Sequence, residues 1–257
     1  MIKRKTQIHI RDFPPELHGL LQAGELYDSS CSPGARTLYC DAGYYIKTAD
    51  RGELAPEAAF GKLFHALGLG VEVMEYLSRD RDYLVTRSAG GDDLTHFCHD
   101  PEGICRIMAD GLRRLHSHNP VEIPMSGKLR EYAAAADRDP ENCAFHEYLL
   151  MDRFGIRTRQ EAWAVIRENQ GTLRSDVLIH GDACLPNIIA REGEFSSFID
   201  LGLAGAGDRH IDLFWAVWSL QFNLKTDRYT ELFLDLYGRE DVDLQRLRTV
   251  AALEVLG

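Results

Sequence analysis

Alternation of apolar and polar positions marks the first third of the chain. Thr37-Leu38-Tyr39-Cys40 and Gly43-Tyr44-Tyr45-Ile46-Lys47-Thr48 are β-rich runs joined by Asp41-Ala42, and the turn formers Cys31-Ser32-Pro33-Gly34-Ala35 precede them. The period then lengthens. Phe60, Leu63, Phe64 and Leu67 recur at i, i+3, i+4 and i+7, with Pro56 suited to a first helical turn and Gly68 and Gly70 to an end, so a helix is predicted. Val71 to Tyr76 and Tyr83 to Thr86 read as two further strands, and Ser88-Ala89-Gly90-Gly91-Asp92 as a linker. Beyond it the helical period takes over. Asp100-Pro101 caps a helix carrying Ile104, Ile107, Met108, Leu112 and Leu115 on one face. Thr158-Arg159-Gln160-Glu161 is a capping box, a strand-rich insert falls at about 176–200, and the segment from about 209 to 222 is apolar on most sides, as in a buried helix. The pattern therefore predicts a strand-rich lobe over residues 1–87 and a mainly helical lobe over 88–257, an α+β chain.

Composition narrows the partners. At 257 residues, 45% hydrophobic and 27% charged, the chain can bury a core of ordinary size. A net charge of −11 argues against nucleic acid and permits a cationic substrate. No signal-peptide pattern and no run of about 18 apolar residues is present, so no membrane partner is expected. The six cysteines are scattered without metal spacing and read as reduced thiols of a cytoplasmic protein, with monomer as the default state.

The chemistry concentrates in His180-Gly181-Asp182-Ala183-Cys184-Leu185-Pro186-Asn187 and Phe198-Ile199-Asp200-Leu201-Gly202. Phosphoryl transfer needs a group to take the hydroxyl proton and oxygen donors to hold Mg²⁺ on phosphates. Asp182 suits the first role, and Asn187 and Asp200 the second, on the arms of one hairpin. His180 reads either as a base or, more simply, as a loop-shaping hydrogen-bonding group. Cys184 lacks the partners of a nucleophile.

Upstream, Lys47 ends a strand and is followed by a helix, the arrangement that holds α- and β-phosphates when a carboxylate fixes the lysine. Glu57 in the first turn is the chosen partner and Glu53 the competitor. Small residues at Ser32-Pro33-Gly34-Ala35 would let backbone N–H groups approach phosphate. Tyr45 shares the strand face of Lys47 and suits either a stack on a purine or a place in the core.

These residues resemble the aminoglycoside phosphotransferases, and among them the aminoglycoside 3′-phosphotransferases. The likeness runs through Cys31-Ser32, Tyr45-Ile46-Lys47, Glu57-Ala58-Ala59, Ile107 to Asp110, Arg113 to His116, His180 to Ile188, Phe198 to Gly202, Asp208-Arg209 and Asp235-Leu236-Tyr237-Gly238. It implies a protein-kinase-like bilobal fold and transfer of the γ-phosphate of ATP or GTP to a hydroxyl, the 3′, of an aminoglycoside antibiotic, conferring resistance. On that template Asp182 is the catalytic base, Asn187 and Asp200 hold Mg²⁺, Lys47 binds phosphate and Glu57 holds the lysine. Ser32 touches the triphosphate, Tyr45 stacks on the base, Thr86 and Ser88 form the hinge that meets the base, and Asp212 is structural.

The departures fall on the acceptor side. Only Glu147 and Asp152 remain acidic in Phe145 to Arg153, where the family is often densely acidic, and Asp152 is the acid expected to bind substrate there. Near the end Glu254 matches the first of two acids that hold the drug's ammonium groups, while Val255 replaces the second. The alternative is a kinase of the same fold acting on another hydroxyl-bearing small molecule.

Overall fold

A computed structural model of the chain describes residues 3–30, 34–135, 140–169 and 171–257. The chain divides into two compact units, residues 1–93 with 189–192 and 196–202, and residues 94–188 with 193–195 and 203–257.

The first unit is built on strands β1 (Arg4–Lys5), β2 (Leu26–Asp28), β3 (Arg36–Cys40), β4 (Tyr44–Asp50), β5 (Val73–Ser78) and β6 (Arg81–Arg87), with the short helix α1 (His18–Leu21) and the longer α2 (Ala55–Ala66). Their order in the sheet is β1-β2-β3-β4-β6-β5, with each neighbouring pair antiparallel. Strands β5 and β6 begin and end up to two residues away from the runs predicted from the pattern, because pairing with β4 extends β6 from Arg81 to Arg87. The alternation in β4 separates two faces. Tyr44 and Ile46 pack with Leu38, Cys40, Tyr83 and Val85 over Leu17, Leu21 and Phe13. The opposite face carries Tyr45, Lys47 and Ala49, in register with Thr86, Leu84 and Asp82 of β6. Leu84 and Ala49 pack there with Ala58 of α2, so Lys47 stands on the helix-covered face.

Helix α2 buries Ala58, Gly61 and Phe64. The apolar repeat is thus offset: Phe60, Leu63 and Leu67 remain half-buried, and the tight line runs through the small residues Ala58 and Gly61. The reason is proximity to the sheet, since a Cβ on Gly61 would stand 2.7 Å from Val73 Cγ2. The connection into α2 is latched by buried Asp82, which accepts N–H bonds from Gly52 and Leu54 at 2.9 and 3.0 Å and the Tyr76 hydroxyl at 3.0 Å.

Strand β7 (Asp92–Asp93) begins at the last residue of the stretch read as a linker and pairs with β9 (Ile188–Arg191). In the second unit, helices α3 (Pro101–His116), α4 (Gly127–Ala135) and α5 (Arg159–Glu168) come first, then β8 (Val177–Ile179); the hairpin of β9 and β10 (Glu194–Phe198) follows, most of its residues belonging to the first unit, and β11 (Gly205–Gly207) pairs with β8. Helices α6 (Arg209–Leu224), α7 (Thr230–Gly238) and α8 (Leu244–Leu256) complete it. Asp100 caps α3 by accepting from Gly103 N–H, and Ile104, Ile107, Met108, Leu112 and Leu115 are all buried. Thr158 and Glu161 form the capping box of α5. Asp208 and Asp243 cap α6 and α8 with their side chains. Helix α6 is buried at nine of its sixteen positions, as its nearly all-round apolarity requires. No helix among the described residues is long and apolar enough to cross a membrane.

Candidate active site

Lys47 is the centre of a cluster in the first unit. Its Nζ lies 2.7 Å from Glu57 Oε2 and 2.7 Å from Asp200 Oδ1. Glu57 reaches it from the first turn of α2, while Glu53 instead accepts the Asp50 N–H at 3.3 Å. Burial of the Lys47 ammonium works against its charge, but the two carboxylates outweigh it and raise the pKa above the ordinary 10.5. The segment bearing Asp200 is fixed by Phe198, which donates its N–H to Leu69 O at 2.8 Å and meets the Phe64 ring edge-on. Asp200 itself turns through φ +61°, a left-handed conformation that aspartate tolerates better than most residues.

Tyr45 lies two residues before Lys47 with its ring 5.0 Å from Tyr39, and burial pushes its hydroxyl up to about 12, aided by Tyr39, Asp93 and Asp92. Thr86 stands opposite Tyr45 in β6, and Ser88 donates its N–H to Gly43 O at 2.9 Å. Ser32 lies outside the described residues.

In the second unit the loop from His180 to Asn187 is held almost entirely through its backbone. Asp212, fully buried in the first turn of α6, accepts the N–H groups of His180 and Gly181 at 2.8 and 2.7 Å. Its Oδ2 also meets His116 Nε2 at 3.1 Å, and His116 Nδ1 meets the Tyr237 hydroxyl at 2.8 Å. Further along the same helix, Ser219 Oγ accepts the Leu185 N–H at 2.9 Å, and the Trp215 carbonyl faces Cys184 Sγ at 3.9 Å. A side chain at 181 is excluded twice over: φ is +87°, and a Cβ would stand 2.5 Å from the Leu203 carbonyl oxygen.

This frame presents Asp182. Its own N–H donates to His180 Nδ1 at 3.2 Å, so His180 serves the loop through a ring nitrogen turned inward. Asn187 Nδ2 donates both to the Asp182 carbonyl at 2.9 Å and to Asp182 Oδ2 at 3.0 Å, which stops the carboxylate from rotating. That bond commits the amide nitrogen and leaves Asn187 Oδ1 as an oxygen donor. Cys184 is buried, and burial, reinforced by Asp182, raises its thiol pKa well above the ordinary 9.0, which disfavours the thiolate a nucleophile needs.

Among the described residues no group of three or more His, Cys, Asp or Glu is set to hold a metal ion. The amide oxygen of Asn187 and the half-exposed carboxylate of Asp200 are hard donors of the kind Mg²⁺ takes from proteins, one or two at a time, alongside water and phosphate.

The sequence model of the phosphotransferase enzyme family matches residues 36–250. The chain belongs to that family. It is 38% identical over 261 residues, 99% of its own length and 98% of the relative's, to a "Probable aminoglycoside 3'-phosphotransferase" of Lactococcus lactis subsp. lactis. Among solved structures, an aminoglycoside 3′-phosphotransferase of type VIII superposes with a TM-score of 0.70 at 21% identity, over 98% of this chain and all of that one. The aminoglycoside phosphotransferase APH(3'')-Id of Streptomyces rimosus, solved with ADP and streptomycin, gives 0.67 at 21%, over 86% and 90%. The fold is α+β and protein-kinase-like, with a strand-rich N-terminal lobe and a mainly helical C-terminal one.

The two acids expected from the sequence on the acceptor side, Asp152 and Glu254, sit differently from one another. Asp152 opens an exposed single turn, Asp152–Phe154. Glu254 is buried in α8, where it accepts from Lys128 Nζ at 3.0 Å, Trp215 Nε1 at 2.9 Å and the Tyr132 hydroxyl. Lys128, Tyr132, Trp215 and Ser219 carry no motif, and their contacts join residues 34 to 126 positions apart, so local pattern holds no signal for them. Only the acid–base complementarity of Lys128 and Glu254 was available in principle.

Proposed function

We propose that the chain transfers the γ-phosphate of ATP or GTP to a hydroxyl, the 3′-hydroxyl, of an aminoglycoside and so confers resistance to that drug. The observation that carries this reading is the nearly full-length 38% identity to a relative named for that activity, together with the immobilised Asp182 carboxylate. Phosphoryl transfer asks little covalent chemistry of the protein, so positioning and charge are what the residues must supply. Asp182 takes the hydroxyl proton as that oxygen attacks the γ-phosphorus. The bond to the β–γ bridging oxygen breaks, and nucleoside diphosphate leaves. Lys47, steadied by Glu57, sets positive charge against the α- and β-phosphates.

Mg²⁺, when bound, neutralises charge on the phosphate oxygens. Asn187 through Oδ1 and Asp200 through its carboxylate would hold it. Nucleotide binding is assigned to residues 1–87, with Tyr45 stacked on the base, Thr86 and Ser88 as hinge and Ser32 at the phosphates. Catalysis and acceptor binding are assigned to residues 88–257. Of the two acceptor-side acids, exposed Asp152 is the one open to an ammonium group, because Glu254 is already held by three donors. The five described cysteines are free thiols, which supports a reducing, cytoplasmic setting, and the enzyme works there as a monomer.

Release of ADP or GDP with Mg²⁺ across kanamycin, neomycin and a 3′-deoxy drug tests the proposal. Turnover of kanamycin, none of the 3′-deoxy compound, and loss of turnover on chelation restored by added Mg²⁺ are expected. Nucleotide binding without turnover of any aminoglycoside would move the acceptor to another hydroxyl-bearing small molecule.

A further inference from the structure

One cation of the second unit is held in an unusual enclosure. Lys128 Nζ lies 3.0 Å from Glu254 Oε2, 3.5 Å from Glu131 Oε2 and 5.4 Å from the centroid of the Trp215 ring. Carboxylates and an indole face are the groups by which proteins grip ammonium ions. The Lys128 side chain is 15% exposed and that of Glu254 only 6%, so the pair is largely withdrawn from water while the lysine keeps a path to solvent. Burial works against the Lys128 charge, and Glu254 and Glu131 outweigh it. The enclosure adjoins the catalytic loop. Trp215 gives its Nε1–H to Glu254 and its carbonyl faces Cys184 Sγ, and the field of Glu254 reaches the Cys184 thiol, two residues past Asp182.

We propose that Lys128 determines acceptor specificity: its ammonium occupies a cage of Glu254, Glu131 and Trp215 that suits an ammonium group of a polycationic acceptor, and so withdraws Glu254 from that acceptor. The inference rests on the aminoglycoside reading above. It follows that the native enzyme gains nothing from the acceptor ammonium that Glu254 would otherwise bind, and that removing the lysine amine returns the cage to the ligand. A lysine that merely ties α4 to α8 would leave no such site.

Lys128→Ala deletes three methylenes and the ammonium, the atoms of propylammonium. Melting of the wild type, Lys128→Ala and Lys128→Ala/Glu254→Gln is followed in propylammonium chloride and in sodium chloride at equal ionic strength. Lys128→Ala is expected to melt lower than wild type in sodium chloride and to recover in propylammonium, with no such recovery in the double variant. Where Lys128→Ala shows no transition in sodium chloride, a transition restored by propylammonium is the same result. Calorimetry is expected to show Lys128→Ala binding neomycin about tenfold tighter than wild type, the scale of one added charge-assisted hydrogen bond. No recovery in propylammonium, or equal recovery in the double variant, overturns the proposal. Wild-type turnover of kanamycin without either gain in the variant sinks this inference alone. Recovery in propylammonium with no aminoglycoside bound by either protein sinks the aminoglycoside reading, and the specificity role with it.

Discussion

Asn187 makes Asp182 a directed group rather than a free carboxylate. By bonding both the backbone oxygen and the carboxylate of the same residue it fixes χ angles that would otherwise be averaged. In the proposed role of general base Asp182 would contribute roughly 10²–10⁴ in rate. Asp182→Asn is therefore expected to lower kcat by about that factor while nucleotide Kd stays within about twofold, measured by coupled nucleoside diphosphate release and by calorimetry. A variant with kcat within about tenfold of wild type would remove Asp182 from the base role. Gly181 next to it has the complementary task of allowing the chain to pass under the Leu203 carbonyl, where no Cβ fits.

Helix α6 is the element on which the loop is mounted. Asp212, Trp215 and Ser219 fall at i, i+3 and i+7, one stripe, and each meets backbone or thiol of residues 180–185. Asp212→Asn would leave one of two buried N–H groups unpaired and turn an amide toward it. A loss of about 2–4 kcal/mol is expected from chemical unfolding, with kcat falling more than KM rises. Unchanged stability would contradict the mounting role.

The start of the same helix offers a pH test. Burial of Asp208 opposes its charge, but the His210 side chain and the backbone N–H groups of His210 and Arg174 outweigh it and hold the carboxyl below the ordinary 3.8. A folded-state pKa depressed below the unfolded value stabilises above the unfolded pKa, and the gain is lost as pH falls through the folded one. Asp208→Asn should thus melt below wild type at pH 7, and the gap should close as pH drops below about 4. A gap constant with pH would exclude a role for the ionised form.

At the scale of the whole chain, a net charge of −11 matters for encounter with a cation. With an aminoglycoside acceptor, kcat/KM is expected to fall several-fold between about 0.02 and 0.2 M ionic strength while kcat barely moves, since screening acts on approach and not on the desolvated chemistry. Steady-state kinetics at fixed Mg²⁺ and nucleotide would show it, and a flat salt response would place recognition on uncharged contacts instead. The fold itself was largely legible at this scale: alternation up to Thr86, helical periodicity after Asp100 and the capping sequences at Asp100 and Thr158 all correspond to elements in the structure. Less legible was α2, where of the apolar repeat Phe60, Leu63, Phe64 and Leu67 only Phe64 is fully buried and the sheet accepts the Ala58–Gly61 line beside it, a matter of interlayer distance and not of hydrophobicity.

What the sequence determined by itself is whatever short range decides: strand faces, helix caps, and the spacing that lets Asn187 reach back five residues to Asp182. The sequence placed Glu57 ahead of Glu53 as the partner of Lys47 although Glu53 is nearer along the chain, and tertiary structure decided between them, because the Asp82 latch sets how α2 departs from the sheet. Tertiary structure also decided that Glu254 is shared with Lys128, Tyr132 and Trp215. A carboxylate's partners are chosen by distance and desolvation, and neither exists until helices α4, α6 and α8 are packed.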